Sequence, residues 1–79
     1  MKDISINTTL DTCGLLCPEP VMLLHKKIRD MSDGDIVELI GTDPSMQRDI
    51  PKFCSFLKHK LICQKEREDK YFYYIEKTV

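Results

Sequence analysis

The sequence lacks an excess of charge of either sign: twelve basic residues stand against thirteen acidic residues, for a formal net charge of -1. Tight direct binders of RNA or DNA normally carry a basic surface, so this balance argues against direct nucleic-acid binding. The sequence also lacks long apolar runs, and its opening segment, MKDISINTTL, contains no apolar signal core. We therefore expect neither export nor a membrane span, and we predict a cytoplasmic protein.

Internal repeats, linkers and low-complexity segments are missing as well, so the 79 residues are expected to form a single domain, residues 1–79. At this length folding hides only about 60 to 65 % of the unfolded surface, which suffices for one modest core. A cofactor-sized interior is not expected.

Hydrophobic patterns predict the element order βαβαββ. Alternation from Ile4 to Leu10 indicates a first strand, and residues 35–42, DIVELIGT, are apolar and β-branched enough for an interior strand. Residues 61–67 and 71–77 read as two strands joined by a hairpin-length connection at EDK. The predicted fold is α+β, a two-layer sandwich with two helices on one face of a four-stranded mixed sheet. Both faces of YFYYIEK carry aromatic residues, so the pattern leaves its buried face open.

Two helices are predicted between these strands. The first follows Pro20, with apolar residues recurring at helical spacing as far as Met31. The second lies after Asp43, which precedes a proline and suits an N-cap. Because Pro51 lacks an N–H and would clash with the preceding turn, we predict a short turn after Asp43 and a main helix from about Asp49.

The segment GLLCPEP, residues 14–20, places Cys17 directly before two prolines spaced one apart. Proline suits the first helical position because its missing N–H would be unpaired there, so we predict Pro18 as the first helical residue and Cys17 as the N-cap. Pro20 has no N–H either, which leaves Glu19 alone to donate to the sulfur. A thiol at a helix N-terminus is expected to have a lowered pKa and to act as a thiolate nucleophile. The alternative is that Cys17 merely replaces a small capping residue.

Two blocks of the sequence resemble the TusA-type sulfur carriers, whose signature is a Cys-Pro-x-Pro motif at the start of the first helix. The first block is LD at 10–11, Gly14 and CPEPV at 17–21. The second block falls within residues 43–59 and consists of Asp43, Pro44, Arg48, Asp49, Ile50, Pro51, Phe53 and Cys54. Together the blocks cover most of residues 8–77, and the second points towards the carrier of the tRNA 2-thiouridine relay.

The resemblance implies a function and no metal or organic cofactor. It also favours a monomer, because a carrier must present the same thiol to successive partners. Cys17 would accept sulfur as a persulfide from a cysteine desulfurase and pass it to a downstream relay protein, for 2-thiolation of the tRNA wobble uridine. Pro18, Glu19 and Pro20 would support that cysteine. We place the partner contacts on the exposed side of the first helix and the start of the second, with these candidates: His25, Lys26, Arg29, Asp43, Arg48 and Phe56. The family often has a basic residue just before the cysteine, where this chain has Leu16, and an arginine on the first helix, where this chain has His25.

Cys13 is an additional thiol that the resemblance does not require. It leaves open a thiol redox or regulatory protein that uses Cys13 and Cys17, although paired redox cysteines are usually spaced Cys-x-x-Cys. A binding module with a passive Cys17 is a third class. A zinc site built from Cys13, Cys17 and His25 or His59 is disfavoured, because no second cysteine pair follows at finger-like spacing.

Three further residues are given structural expectations. Cys54 lies on an apolar helical face and Cys63 lies within a strand, so both are expected to be buried. His59 is expected near the C-terminus of the second helix, where a partly cationic ring would suit the helix dipole.

Overall fold

The computed structural model describes residues 5–78, and the elements follow the predicted order βαβαββ. Ile4, where the first strand was expected to begin, lies outside the described residues, and Ile6 is exposed ahead of the strand. The elements are β1 Thr8–Thr12, α1 Glu19–Arg29, β2 Ile36–Gly41, α2 Met46–Leu57, β3 Lys60–Arg67 and β4 Lys70–Glu76.

The four strands form one mixed sheet in the order β1-β2-β4-β3. β1 and β2 are parallel, with Thr12 opposite Gly41, while β4 is antiparallel to both β2 and β3. The prediction of an α+β fold with a four-stranded mixed sheet is therefore confirmed. Because β1 and β2 are parallel, the loops that follow them emerge at the same edge of the sheet. This edge brings residues 13–18 next to residues 42–45.

The core lies between the two helices and one face of the sheet. Each helix presents a strip of apolar side chains to that face, as helical spacing requires. The buried members of this core are Leu24, Ile28, Met31, Val37, Leu39, Met46, Ile50, Cys54, Tyr73 and Ile75. β2 alternates between half-buried and buried residues along its length, so it faces the core with every second side chain.

β4 settles the question that its sequence left open. Tyr73 and Ile75 face the helices and belong to the core. Tyr74 points to the opposite face of the sheet, where its hydroxyl donates to Glu38 Oε2 at 2.9 Å. The side chain of Lys65 extends over the Tyr74 ring, with Nζ 5.5 Å from the centroid. Tyr74 is thus covered by strand neighbours rather than by a helix.

α1 begins at Glu19, so the prediction that Pro18 is its first residue and Cys17 its N-cap is wrong. Pro18 is the N-cap, with φ −93° and ψ 11°, and its carbonyl accepts from the Met22 N–H at 2.9 Å. The Glu19 N–H donates to the Leu16 carbonyl at 3.0 Å instead of to a cysteine sulfur. Because Pro18 is the N-cap, Cys17 lies in the loop just before it. The peptide bond between Cys17 and Pro18 is cis.

α2 begins at Met46, earlier than the predicted start near Asp49, and it contains Pro51. The Asp49 N–H already donates to the Ser45 carbonyl at 2.9 Å in the helical pattern. A proline inside a helix costs about 3 kcal/mol. Met46 and Ile50 are fully buried, and burying such side chains contributes about 1.5 to 3 kcal/mol each. Core packing therefore outweighs the lost backbone hydrogen bond. The predicted turn after Asp43 is present.

Between residues 5 and 78, no helix is both long enough and apolar enough to cross a membrane.

Candidate functional site

Two loops meet at the edge of the sheet where β1 and β2 end. The Gly14 N–H donates to Thr42 Oγ1 at 2.9 Å. The Cys17 N–H donates to Asp43 Oδ2 at 2.6 Å. These two bonds tie the loop before α1 to the loop before α2, so they fix the position of Cys17 from a distant part of the sequence.

Asp43 is the centre of this arrangement. Besides the Cys17 N–H, its carboxylate accepts the Ser45 N–H at 3.1 Å and the Ser45 hydroxyl at 2.8 Å. The backbone N–H of Cys17 and the two donors of Ser45 lower the pKa of Asp43 to about 2. The carboxylate is therefore ionised at neutral pH, with its negative charge directly beside Cys17. The prediction of Asp43 as an N-cap is wrong for α2, whose N-cap is Ser45. Asp43 instead accepts from Ser45 in the turn before the helix and also holds the cysteine loop.

The Cys17 side chain is partly buried, and its surroundings disfavour the thiolate. Burial raises the pKa of the Cys17 thiol; a hydrogen bond with Ser45 acts in the opposite direction, while Asp43 and Asp49 raise the pKa further. The prediction of a lowered pKa is therefore wrong for these surroundings. The main reason is burial of the sulfur; Asp43 in the loop before α2 and Asp49 in α2 add negative charge and acceptor oxygens that further disfavour ionisation.

Arg48 offsets part of this negative charge. Its Nε lies 3.0 Å from Asp49 Oδ1, and the two form an ion pair. The pair lowers the pKa of Asp49. Arg48 stays mostly exposed in this intramolecular pair.

Cys13 has a separate environment. It lies in a turn closed by the Leu15 N–H and the Thr12 carbonyl at 3.1 Å, and its own N–H donates to Asp11 Oδ1 at 2.9 Å. Burial and the Asp11 carboxylate raise the pKa of the Cys13 thiol. Cys13 and Cys17 are both free thiols, and each is next to a different carboxylate.

The other two cysteines differ from each other. Cys54 is buried in the core, as expected, and burial raises the pKa of its thiol to about 11. Cys63 is exposed, so the expectation of burial is wrong. It pairs with Tyr74 across the β3–β4 ladder, on the sheet face that the helices do not cover. A bulge between Leu61 and Cys63 shifts the pairing of β3 with β4, so that Cys63 does not face the core.

The predicted supporting residues and contact candidates lie around Cys17 and along the helices. Pro20 is buried in the first turn of α1, whereas Pro18 and Glu19 are exposed. Among the contact candidates, the exposed ones are His25, Lys26, Arg29, Arg48 and Phe56, and Asp43 is half-buried at the site. The Phe56 side chain is 82 % exposed.

Sequence reasoning missed two exposed apolar residues next to this site. Leu16 is 70 % exposed and Met22 is 63 % exposed. A groove of about 370 Å³ between the helices adjoins Cys17 through Pro18 and has the Phe56 ring on its wall. Met22 lies off the buried strip of α1, and an apolar residue on the polar side of a helix was the signal that could have identified it.

His59 does not have the predicted cationic character. α2 ends at Leu57, and Lys58 caps it in the left-handed conformation. Burial lowers the pKa of His59, and the nearby Lys77 and His25 lower it further. Among residues 5–78, no group of three or more His, Cys, Asp and Glu side chains is arranged to hold a metal ion.

The chain is similar in sequence to known proteins over nearly its whole length. The family described as Sulfurtransferase TusA matches residues 8–77 of the chain. A sulfur carrier protein TusA of Pseudomonas entomophila is 52% identical over 77 residues, which cover 98% of this chain and 96% of the relative. A sulfur carrier protein TusA of Pseudomonas aeruginosa is 53% identical over 73 residues, covering 92% of both chains.

Proposed function

Because the chain belongs to the TusA sulfurtransferase family and is a sulfur carrier protein, we propose that Cys17 is the residue that carries the sulfur, as a persulfide. One observation carries this assignment: Cys17 is partly accessible, and its backbone N–H is held by Asp43 at 2.6 Å in the loop before α1. Reactive cysteines need access combined with a fixed position. The carrier role differs from that of an enzyme that turns over a substrate.

The proposed transfer is a thiol exchange in two steps. The Cys17 thiolate attacks the outer sulfur of a persulfide on the donor, a cysteine desulfurase. A new S–S bond forms on Cys17 as the donor's S–S bond breaks, and the donor cysteine leaves as a thiolate. A cysteine thiolate of the downstream acceptor then attacks the outer sulfur on Cys17 and releases the Cys17 thiolate. No net oxidant or reductant is consumed.

The proposed donor covers the exposed apolar side chains next to Cys17. Leu16, Met22 and Phe56 project into solvent, and Phe56 lines the groove that adjoins Pro18. Exposed apolar patches of this kind mark contact surfaces. Basic side chains on α1, Lys26 and Arg29, extend this surface and would steer an acidic partner.

The proposed end product is 2-thiolated wobble uridine in tRNA, made by a downstream enzyme that itself binds the RNA. Two features support an indirect role for this chain: the near-neutral net charge of -1, and the resemblance of the segment from Asp43 to Cys54 to the carrier of that relay. We further propose that residues 1–79 act as one carrier domain, as a monomer, in the cytoplasm. The free state of all four cysteines suits a reducing compartment.

The proposal is tested by sulfur loading. The protein is incubated with a cysteine desulfurase and cysteine, and mass spectrometry is used to find one added sulfur that a reductant removes. Wild type and Cys13→Ala are expected to gain it on the peptide containing Cys17, and Cys17→Ser is expected to gain none. Loading of Cys17→Ser at the wild-type rate would assign the sulfur to another cysteine.

The alternative, a redox protein that uses a Cys13–Cys17 disulfide, predicts a different outcome. It requires an abundant reversible bridge under mild oxidation and a large functional loss in Cys13→Ala. The separate carboxylate neighbours of the two thiols, Asp11 for Cys13 and Asp43 for Cys17, favour the carrier. A resolving Cys13 would also attack the persulfide on Cys17 and discharge it as sulfide. Peptide mapping of the oxidised protein distinguishes the two functions.

A further inference from the structure

A second groove lies between the C-terminal halves of the two helices and the end of β4. Its volume is about 320 Å³, and its lining residues are His25, Ile28, Arg29, Phe53, Leu57, His59 and Lys77. Apolar side chains form the floor and basic side chains form the rim, so we call it the basic groove. At a rise of about 1.5 Å per residue, Arg29 lies about 15 Å along α1 from Glu19, so this groove is separate from Cys17.

Contacts within the protein position three of the groups that line the basic groove: Lys77, His59 and Phe53. Lys77 Nζ donates to the Met31 carbonyl at 2.7 Å, which holds its ammonium group in place. His59 Nδ1 accepts from the Thr78 N–H in a long contact of 3.5 Å. The Phe53 ring lies between the two histidines, 5.9 Å from His25 and 6.5 Å from His59 between ring centroids. These three side chains are thus in place before a ligand binds, while the exposed Arg29 side chain is free to adjust to it.

Nothing in the described part of the chain neutralises this positive charge. No carboxylate of residues 5–78 lines the groove, and the ion pair found in that range joins Arg48 to Asp49 elsewhere. After burial, the nearby Lys77 and His25 are the causes that lower the pKa of His59. A bound anion would stabilise the cationic form of His59, which its positively charged neighbours disfavour.

We propose that the basic groove binds a small phosphate monoester with an aromatic or aliphatic body. The guanidinium of Arg29 matches two phosphate oxygens, while Lys77 and His59 supply further N–H donors. Ile28, Phe53 and Leu57 receive the apolar body of the ligand. The groove is at the lower end of the usual range for small-molecule sites, about 300 to 1,000 Å³. A dianion is favoured over a single carboxylate because two permanent cations and two histidines line one cavity.

The test is an NMR titration of the free, reduced carrier with phenyl phosphate, near pH 6.5, the ordinary pKa of histidine. Inorganic phosphate supplies the anion without the body, and phenol supplies the body without the anion. Phenyl phosphate is expected to shift the signals of the groove residues, to raise the pKa of His59, and to bind about tenfold more tightly than either control. Lost charge-assisted hydrogen bonds should make Arg29→Gln and Lys77→Gln about ten- to a hundredfold weaker binders.

Lys27→Gln is the matched control, because Lys27 lies on the same helix but does not line the groove. Its affinity for phenyl phosphate should stay within about twofold of wild type. Equal weakening in Lys27→Gln and Arg29→Gln would overturn the proposal in favour of unspecific charge attraction, as would an unchanged His59 pKa. Arg29→Gln keeps the test valid if Lys77→Gln fails to fold. Because no partner and no reaction of Cys17 enters the titration, its result is independent of the sulfur-carrier proposal.

Discussion

Replacing Gly41 with alanine should disturb both the stability of the fold and the site of Cys17. Gly41 ends β2, is buried, and lies just before the loop that contains Asp43. A Cβ at this position would overlap with Met46 Sδ, and it would lie 2.6 Å from Met46 Cε and 2.9 Å from Thr12 Oγ1. The first residue of α2 therefore packs directly on the α-carbon of Gly41.

The size of the effect follows from how little these neighbours can move. Met46 is fully buried, and Thr12 Oγ1 donates to the Ile40 carbonyl at 2.7 Å. Overpacking a core costs about 1 to 3 kcal/mol, and the gain from a less flexible unfolded chain offsets about 0.4 to 1 kcal/mol of it. We expect a net loss of about 1 to 2 kcal/mol, equivalent to about 4 to 16 °C in Tm for a domain of this size.

Urea denaturation and NMR test the two consequences separately. Gly41→Ala should lower the free energy of unfolding, and the Cys17 amide signal should move as its hydrogen bond to Asp43 lengthens. In the double variant with Met46→Ala, the smaller side chain at position 46 makes room for the Cβ. The loss in free energy of unfolding of the double variant should therefore be smaller than the sum of the two single losses by about 1 kcal/mol. Additive losses, or a Tm equal to that of wild type, would refute the packing argument.

Three further outcomes are expected. Asp43→Asn removes a negative charge beside Cys17, so the pKa of that thiol should fall, and the pH profile of its alkylation by iodoacetamide should move to lower pH; an unmoved profile would contradict the role given to Asp43. Phe56→Ser should keep the wild-type Tm but slow association with the desulfurase or speed its dissociation, as measured by surface plasmon resonance, whereas unchanged kinetics would place the interface elsewhere. Burial raises the pKa of Tyr73 to about 12, so the stability linked to its neutral form is complete below about pH 10 and is lost as pH rises towards about 12. In Tyr73→Phe the alkaline loss of stability should be smaller when it is followed by circular dichroism, and a loss equal to that of wild type would exclude Tyr73 as its source.

Local patterns predicted most of the fold because most elements are specified by their own residues. The alternation in β2 and the short connection before β4 identify an interior strand and a hairpin without further information. The start of α2 could not be found this way. Pro51 is a local signal and predicted a later start, whereas the helix begins at Met46 because that side chain is buried against Gly41, a contact between segments that local patterns do not show. The buried face of β4 was also undecidable, since Tyr74 on the other face is covered by Lys65 from β3 and bonded to Glu38 from β2.

Local sequence patterns also predicted only part of the site around Cys17. The prolines beside Cys17 identified the residue and the approximate start of α1, but they predicted a thiolate stabilised by the helix alone. The carboxylate of Asp43, distant in sequence, reaches the Cys17 N–H only because β1 and β2 are parallel neighbours whose loops leave the sheet at one edge. That contact fixes the backbone of the cysteine, while burial of the sulfur, and after it the negative charge of Asp43, raise the pKa of the thiol. Asp43 therefore contributes to both the position and the reactivity of Cys17, and only the fold brings the two residues together.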